Sequence, residues 1–234
     1  MTLPISPLFL LETSLSPLLK QGLAALNISL SDDQQQLLLQ YVALLNKWNK
    51  IYNLTAVREP ERMIGLHILD SLAVLPHLGN IKNLLDVGSG GGLPGIPLAI
   101  VRQDLQVTML DSLQKKTTFV RQAIGELALC NATVVCERVE QFKPTEKFDG
   151  VVSRAFAELS DFLDGAQHLV ANGGRMFAMK GQHPAEEISR MSVTSTKMST
   201  TVFTVEKVIE LKVPQVDGQR HLVVLKKHEI ESTK

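Results

Sequence analysis

Two cysteines, one tryptophan and no net charge are the first things this 234-residue sequence shows, with 24 Lys and Arg against 24 Asp and Glu. Cys130 and Cys136 are too few for a disulfide framework, which points to a reducing compartment. Their spacing matches no metal motif, and both sit in apolar stretches, where they read as inert packing residues. No run of about 18 apolar residues occurs, so no membrane span is expected. The first eleven residues are apolar but contain Pro4 and Pro7 and no basic residue precedes Lys20, so the start does not read as a secretory signal. The missing basic excess also lowers the expectation of a nucleic-acid partner, because phosphate contacts supply most of such affinity. Residues 1–80 hold five basic and six acidic side chains, so neither part of the chain is basic. Any RNA affinity therefore has to come from a local patch. A hydrophobic content of 44% excludes disorder and suits a globular protein with a real core.

What is present changes character near residue 80. Before it the pattern is helical. Ser31 with Gln34 three residues on makes a capping box, and Leu37, Tyr41, Leu44, Leu45, Trp48 and Tyr52 recur at spacings of three and four. Trp48 and the two tyrosines read as core packing. Pro60 suits the first turn of a further helix, which runs through Met63, Ile64, Leu66, Ile68, Leu69 and Leu72 until Pro76 or Gly79 ends it. After residue 80, short apolar runs at 84–87, 107–110, 133–135, 148–153 and 175–179 alternate with helical stretches at about 115–129 and 159–170. That alternation calls for a parallel sheet covered on both faces. The last two β-rich runs, 202–213 and 221–226, have no helix between them and should pair antiparallel. The expected fold class is α/β, with a helical extension over 1–80 packed on a Rossmann-like domain over 81–234.

The most informative stretch is Asp86-Val87-Gly88-Ser89-Gly90-Gly91-Gly92-Leu93-Pro94-Gly95. A strand running into glycines and then a helix lets backbone approach a ligand closely, with free N–H groups aimed at it. The G-x-G-x-x-G fingerprint of dinucleotide sites fails at Leu93, and no phosphate-binding lysine follows. The spacing present, Gly88-x-Gly90-x-Gly92 after an acidic Asp86, resembles motif I of class I S-adenosylmethionine methyltransferases. A nicotinamide-binding oxidoreductase is the competing reading at this point. Asp111 ends the second strand, which puts a carboxylate on the same sheet edge as the loop, suited to both hydroxyls of a ribose. It also suits the cap of the helix that follows.

Further segments carry a closer resemblance. Asp86 to Pro97, together with Phe148-Asp149-Gly150-Val151-Val152-Ser153-Arg154-Ala155, resembles the bacterial 16S rRNA guanine-N7 methyltransferases of the RsmG family, formerly glucose-inhibited division protein B. Lys47-Trp48-Asn49-Lys50, Asn53-Leu54-Thr55, His67-Ile68-Leu69-Asp70-Ser71, Leu110-Asp111-Ser112, Lys180-Gly181 and Arg220-His221-Leu222-Val223-Val224 agree with it. The match covers about residues 25–227 and departs at Gly91, where other members carry proline. The resemblance implies an S-adenosylmethionine site formed by Asp86, Gly88, Gly90, Gly92, Leu93 and Asp111. Val139 and Glu140 would border the adenine, and Arg154 would lie near the methionine end as a positioning residue. It implies a target in the loop of helix 18 of 16S rRNA, with the sequence leaving open free rRNA or a 30S assembly intermediate. A cytoplasmic monomer is the expectation, with no obligate protein partner evident.

Guanine N7 carries a lone pair and no proton, so methyl transfer to it needs alignment and no general base, and the reading assigns none. The sequence has neither the Asn-Pro-Pro-Tyr type of motif used on amino groups nor a Pro-Cys nucleophile. The N7 edge of paired RNA lies in a deep, narrow groove, so the target should be splayed from a loop. Arg154, Lys180 and Arg220 read as holding phosphates or the cofactor carboxylate. Asn53 and His67, with Lys47, Lys50 and Arg58, are candidates to meet RNA from the helical side. For the lysines a solvated face, and for His67 a core or capping place, are the plainer alternatives.

Overall fold

The computed structural model describes residues 7–193 and 201–229. Helix α1 (Pro7–Ala25) buries Leu15, Leu19 and Leu23 despite carrying Pro17 inside it. Helix α2 (Asp32–Tyr52) starts at the expected capping box: the Ser31 hydroxyl accepts from the Gln34 amide, and the Gln34 side chain accepts from the Ser31 amide. It ends at Asn53, in the left-handed conformation at φ +51°. The helix expected from Pro60 forms as α3 (Pro60–Met63), a π-helical stretch (Ile64–Leu69) and α4 (Asp70–Leu72). Pro76 then sits in the first turn of α5 (Leu75–Leu78), and Gly79, at φ +62°, follows its end.

The remaining elements are β1 (Asn83–Val87), α6 (Gly95–Val101), β2 (Gln106–Asp111), α7 (Gln114–Glu126), β3 (Ala132–Cys136) and β4 (Phe148–Ser153), then α8 (Leu159–Ala166), β5 (Val170–Lys180), α9 (Ala185–Val193), β6 (Thr201–Glu210) and β7 (His221–Glu229). Strand order is β3-β2-β1-β4-β5-β7-β6. The first five strands are parallel, and β7 runs antiparallel to both its neighbours. The final pair is antiparallel as its sequence suggests, but β7 lies inside the sheet and β6 takes the edge.

Alternation along β1 shows how the layers are held. Leu84 packs in a cluster with Leu15, Tyr41, Ile68, Ile96 and Phe119, on the face covered by the N-terminal helices, α6 and α7. Its neighbour Leu85 joins Val151, Leu159, Phe162 and Met176 on the opposite face, as successive strand residues must. Several expectations need correction. Cys130 is exposed and Cys136 half-buried, because one falls in the turn after α7 and the other at the end of the edge strand β3. Tyr41 is fully buried, but Trp48 is half-buried and Tyr52 is 40% exposed, since the end of α2 runs past the core. Among the described residues no helix is long and apolar enough to cross a membrane.

Candidate functional site

Strand register decides which residues meet. Val87 pairs with Leu110, Asp111 with Cys136, Ser153 with Ala178 and Lys180 with His221. The ends of the parallel strands and the start of β7 therefore share one edge, and the candidate groups other than Asn53, His67, Lys47, Lys50 and Arg58 lie at these strand ends or in the segments beside them.

The glycine loop is held from beneath and behind. Asp86 is fully buried, and its carboxylate accepts a 2.8 Å bond from the Gly95 amide. Burial pushes its pKa up to about 7, against the pull of that amide. The Gly88 and Ser89 amides donate to the Leu110 carbonyl, those of Gly92 and Leu93 to the Ser89 carbonyl, and that of Gly90 to Asp111. The expectation of free N–H groups fails at these positions, because the loop spends its donors on closing itself. Its glycines serve geometry instead. Gly88, Gly90 and Gly92 have φ of +70°, +59° and +88°, a region costly to residues with a Cβ. Tyr41 reaches in from α2 to donate a 2.7 Å hydrogen bond to the Gly91 carbonyl.

A cavity of about 280 Å³ opens beside the loop. Gly88, Asp111, Val139, Glu140, Ala155 and Phe156 line it, with Ser112, Leu113, Lys116, Glu137 and Arg138. Asp111 is nearly buried, and each of its carboxylate oxygens accepts one amide at 2.9 Å, from Gly90 and from Leu113. Lys116 stands 3.7 Å away. The link to Leu113 is a local turn at the head of α7, so Asp111 both organises that turn and faces the cavity. The Ser153 hydroxyl donates to the Val87 carbonyl at 2.8 Å and accepts from the Ala155 amide at 3.0 Å, which brings Ala155 up against Gly88.

A second cavity of about 400 Å³ lies along the same edge, over the ends of β4 and β5 and the start of β7. Arg154, Lys180, Arg220, His67, Asp70 and His221 are among its lining residues. Asp70, 6% exposed, holds two cations: Arg154 at 2.8 Å and Arg220 at 3.3 Å. Burial raises its pKa against the pull of both guanidiniums. His67 lies in the π-helical stretch, bonded through Nε2 to the Thr55 hydroxyl at 2.9 Å. Burial, and then Arg154, lower its pKa to about 4, so the ring is neutral at neutral pH. Lys180 pairs with Glu187 of α9 at 2.8 Å and donates to the Ala157 carbonyl.

The structure thus brings Gly88, Asp111, Val139 and Glu140 to the first cavity, and Arg154, His67, Lys180 and Arg220 to the second. Asp86, Gly90, Gly92 and Leu93 line neither; they shape the loop, with Leu93 packed in the core. Asn53 lies elsewhere, its side-chain carbonyl accepting a 2.7 Å bond from Arg58. Sequence reasoning missed Asp70, Tyr41, Ser153 and Glu187. Tyr41 meets Gly91, Ser153 meets Val87 and Asp70 meets Arg154 across 50, 66 and 84 residues of chain, and Glu187 reaches back to the Leu159 amide 28 residues before it.

Residues 34–223 match the family profile described as GidB, rRNA small subunit methyltransferase G. The chain is 53% identical over 207 residues to "Ribosomal RNA small subunit methyltransferase G" of Laribacter hongkongensis, covering 88% of this chain and 96% of the relative. It is 52% identical over 205 residues to the protein of that name in Chromobacterium violaceum, covering 88% and 94%. Among solved structures it is similar to the N-methyltransferase NodS of Bradyrhizobium japonicum WM9, solved with S-adenosyl-L-homocysteine. There the TM-score is 0.53 at 13% identity, over 79% of this chain and 100% of that one, a likeness of fold alone. The sheet order and these likenesses agree on the class I methyltransferase fold, and the chain belongs to the rRNA small subunit methyltransferase G family.

Proposed function

We propose that this chain is an S-adenosylmethionine-dependent methyltransferase acting on N7 of a guanine in the helix 18 loop of 16S rRNA. One observation carries the reading: the end of β4 separates a cavity floored by a carboxylate from a cavity lined by three cations. The first fits the cofactor. A glycine stands where backbone must come close, and Asp111 keeps lone pairs for two ribose hydroxyls, since each oxygen accepts only one amide. Val139 and Glu140 border the adenine, and Asp86 with Gly90, Gly92 and Leu93 holds the loop in shape. Bound there, S-adenosylmethionine supplies an electrophilic methyl group on sulfonium and leaves as S-adenosylhomocysteine.

What the protein itself contributes is placement. N7 offers its lone pair without losing a proton, so alignment supplies most of the acceleration, roughly 7–11 kcal/mol in favourable cases. Two titratable groups of the second cavity are tethered: the Nε2 of His67 is bonded to Thr55, and Asp70 is paired with Arg154 and Arg220. The Nδ1 of His67 has no hydrogen-bond partner among the described residues. Arg154, held by Asp70 in the second cavity, positions the reacting ends, while Arg220 attracts phosphate and Lys180, paired with Glu187, braces the cavity wall. The enzyme works as a cytoplasmic monomer on rRNA or a 30S assembly intermediate. Its helical extension lies within residues 1–80 and its cofactor-binding domain within 81–234.

Transfer of tritiated methyl groups to naked 16S rRNA, 30S subunits and total tRNA, followed by mapping, tests this. Labelled 7-methylguanosine in a ribosomal substrate is the expected result. Its absence from every ribosomal substrate overturns the reading.

A further inference from the structure

A neutral protein that holds RNA must do so through local basic surface, and two acid-free basic segments of this chain meet in space. Residues 34–58 contain Lys47, Lys50 and Arg58 and no acid; residues 112–125 contain Lys115, Lys116 and Arg121 and no acid. The fold sets these segments side by side. Gln34, at the start of α2, donates to the Val101 carbonyl at the end of α6, while Trp48, near the end of α2, packs on Phe119 of α7 with ring centres 5.7 Å apart. The last turn of α2 therefore lies beside the first turn of α7, on the sheet edge where the cofactor cavity opens.

The large hydrophobic side chains left exposed among the described residues are all found here: Ile51 at 72%, Tyr52 at 40% and Leu113 at 46%. Tyr52 stacks on Trp48 with ring centres 5.2 Å apart and planes 29° from parallel, and Leu113 and Lys116 line the cavity itself. Lys47, Lys50 and Lys115 are exposed and pair with no carboxylate among the described residues. An exposed aromatic ring at a helix end, with unpaired cations on the same and the adjoining helix and a cavity mouth beside it, is an arrangement that suits unpaired nucleotides: bases stack and phosphates find charge.

We infer that the end of α2 and the start of α7 form the platform for the single-stranded RNA flanking the target guanine. A base stacks on Tyr52, and Lys47 and Lys115 take phosphates. This rests on the rRNA methyltransferase reading and adds to it the surface that holds the substrate.

The test compares wild type with Tyr52→Ala, Lys47→Ala/Lys115→Ala and Arg121→Ala. Arg121 points away from Phe119, about 200° around α7. Each protein is assayed for methyl transfer to 16S rRNA and 30S subunits at several salt concentrations, and for S-adenosylhomocysteine binding by calorimetry. If wild type labels no rRNA, the functional reading fails, and the platform with it. If wild type is active, Tyr52→Ala raises KM for the RNA at least about five-fold with kcat retained. The double lysine variant flattens the salt dependence, by roughly 0.7 in log–log slope per lost phosphate contact. S-adenosylhomocysteine affinity stays at the wild-type value in both, and Arg121→Ala behaves as wild type. Unchanged KM in both platform variants, an equal loss in Arg121→Ala, or lost S-adenosylhomocysteine binding overturns the proposal.

Discussion

The hydroxyl of Tyr41, in the second helix, donates a 2.7 Å hydrogen bond to the carbonyl of Gly91 in the glycine loop, 50 residues further along the chain. The ring is fully buried beside Phe119, and burial raises the phenol pKa, so the donor keeps its proton throughout the working range. The N-terminal helices thus hold the loop through a polar bond as well as through apolar packing.

Tyr41→Phe keeps that packing and removes the donor, leaving a buried carbonyl unpaired at about 1–3 kcal/mol. The expected outcome is a lower denaturation midpoint and weaker S-adenosylhomocysteine binding, read by urea unfolding and calorimetry. Equal affinity in the two proteins would show that the loop holds its shape without α2.

A Cβ built on Gly88 lies 2.5 Å from the Ala155 Cβ, and φ there is +70°. Gly88→Ala is expected to weaken S-adenosylhomocysteine binding more than about ten-fold, or 1.4 kcal/mol. Adding Ala155→Gly removes the clash but not the backbone strain, so the double variant should recover part of the affinity. No recovery at all would place the cost in the dihedral alone.

Asp70 joins Arg154 and Arg220 across three segments of chain. Asp70→Asn leaves two guanidiniums, each about a quarter exposed, with no countercharge. Solvent screening moderates the usual cost of breaking a buried pair, and about 2 kcal/mol of stability should be lost. Arg220→Ala removes a cation that is 26% exposed at the cavity and should weaken RNA binding more than S-adenosylhomocysteine binding. Filter binding and calorimetry compare the two, and the reverse order would remove Arg220 from the RNA side.

His67 and Asp86 tilt stability in opposite directions with pH. The folded pKa of His67 is depressed to about 4 from 6.5. Between those values the unfolded chain binds more protons, and stability is lost as pH falls from 6.5 toward 4. The folded pKa of Asp86 is raised to about 7 from 3.8, so its contribution is full below 3.8 and is lost as pH rises through 7. The two slopes, each at most about 1.4 kcal/mol per pH unit, largely cancel between pH 4 and 6.5. Urea midpoints of His67→Gln should therefore fall with rising pH across that window, and those of Asp86→Asn should rise. Parallel curves for wild type and both variants would contradict the assignment.

Local pattern reaches far in this protein. The capping box at Ser31, the glycine spacing after Asp86 and the alternation of runs after residue 80 are encoded by neighbours, and the elements they announce are in the structure. Asp111 was legible because a residue ending one parallel strand must share an edge with the loop ending the next. Helices α1 and α9 were not legible: one carries Pro17 within an apolar run, and the other is nine residues long. The sequence alone thus determined the layers and the cofactor loop, because those follow from periodicity and backbone freedom. Only the tertiary structure decided which charges are spent and which are free. Glu187 of α9 occupies Lys180, Asp70 gathers Arg154 and Arg220, and Lys47 and Lys115 are left to solvent on adjoining helix ends. Pairing between side chains depends on distance in space, and residues 84 apart leave no local mark of their meeting. A net charge of zero therefore carried no information about where the basic surface lies.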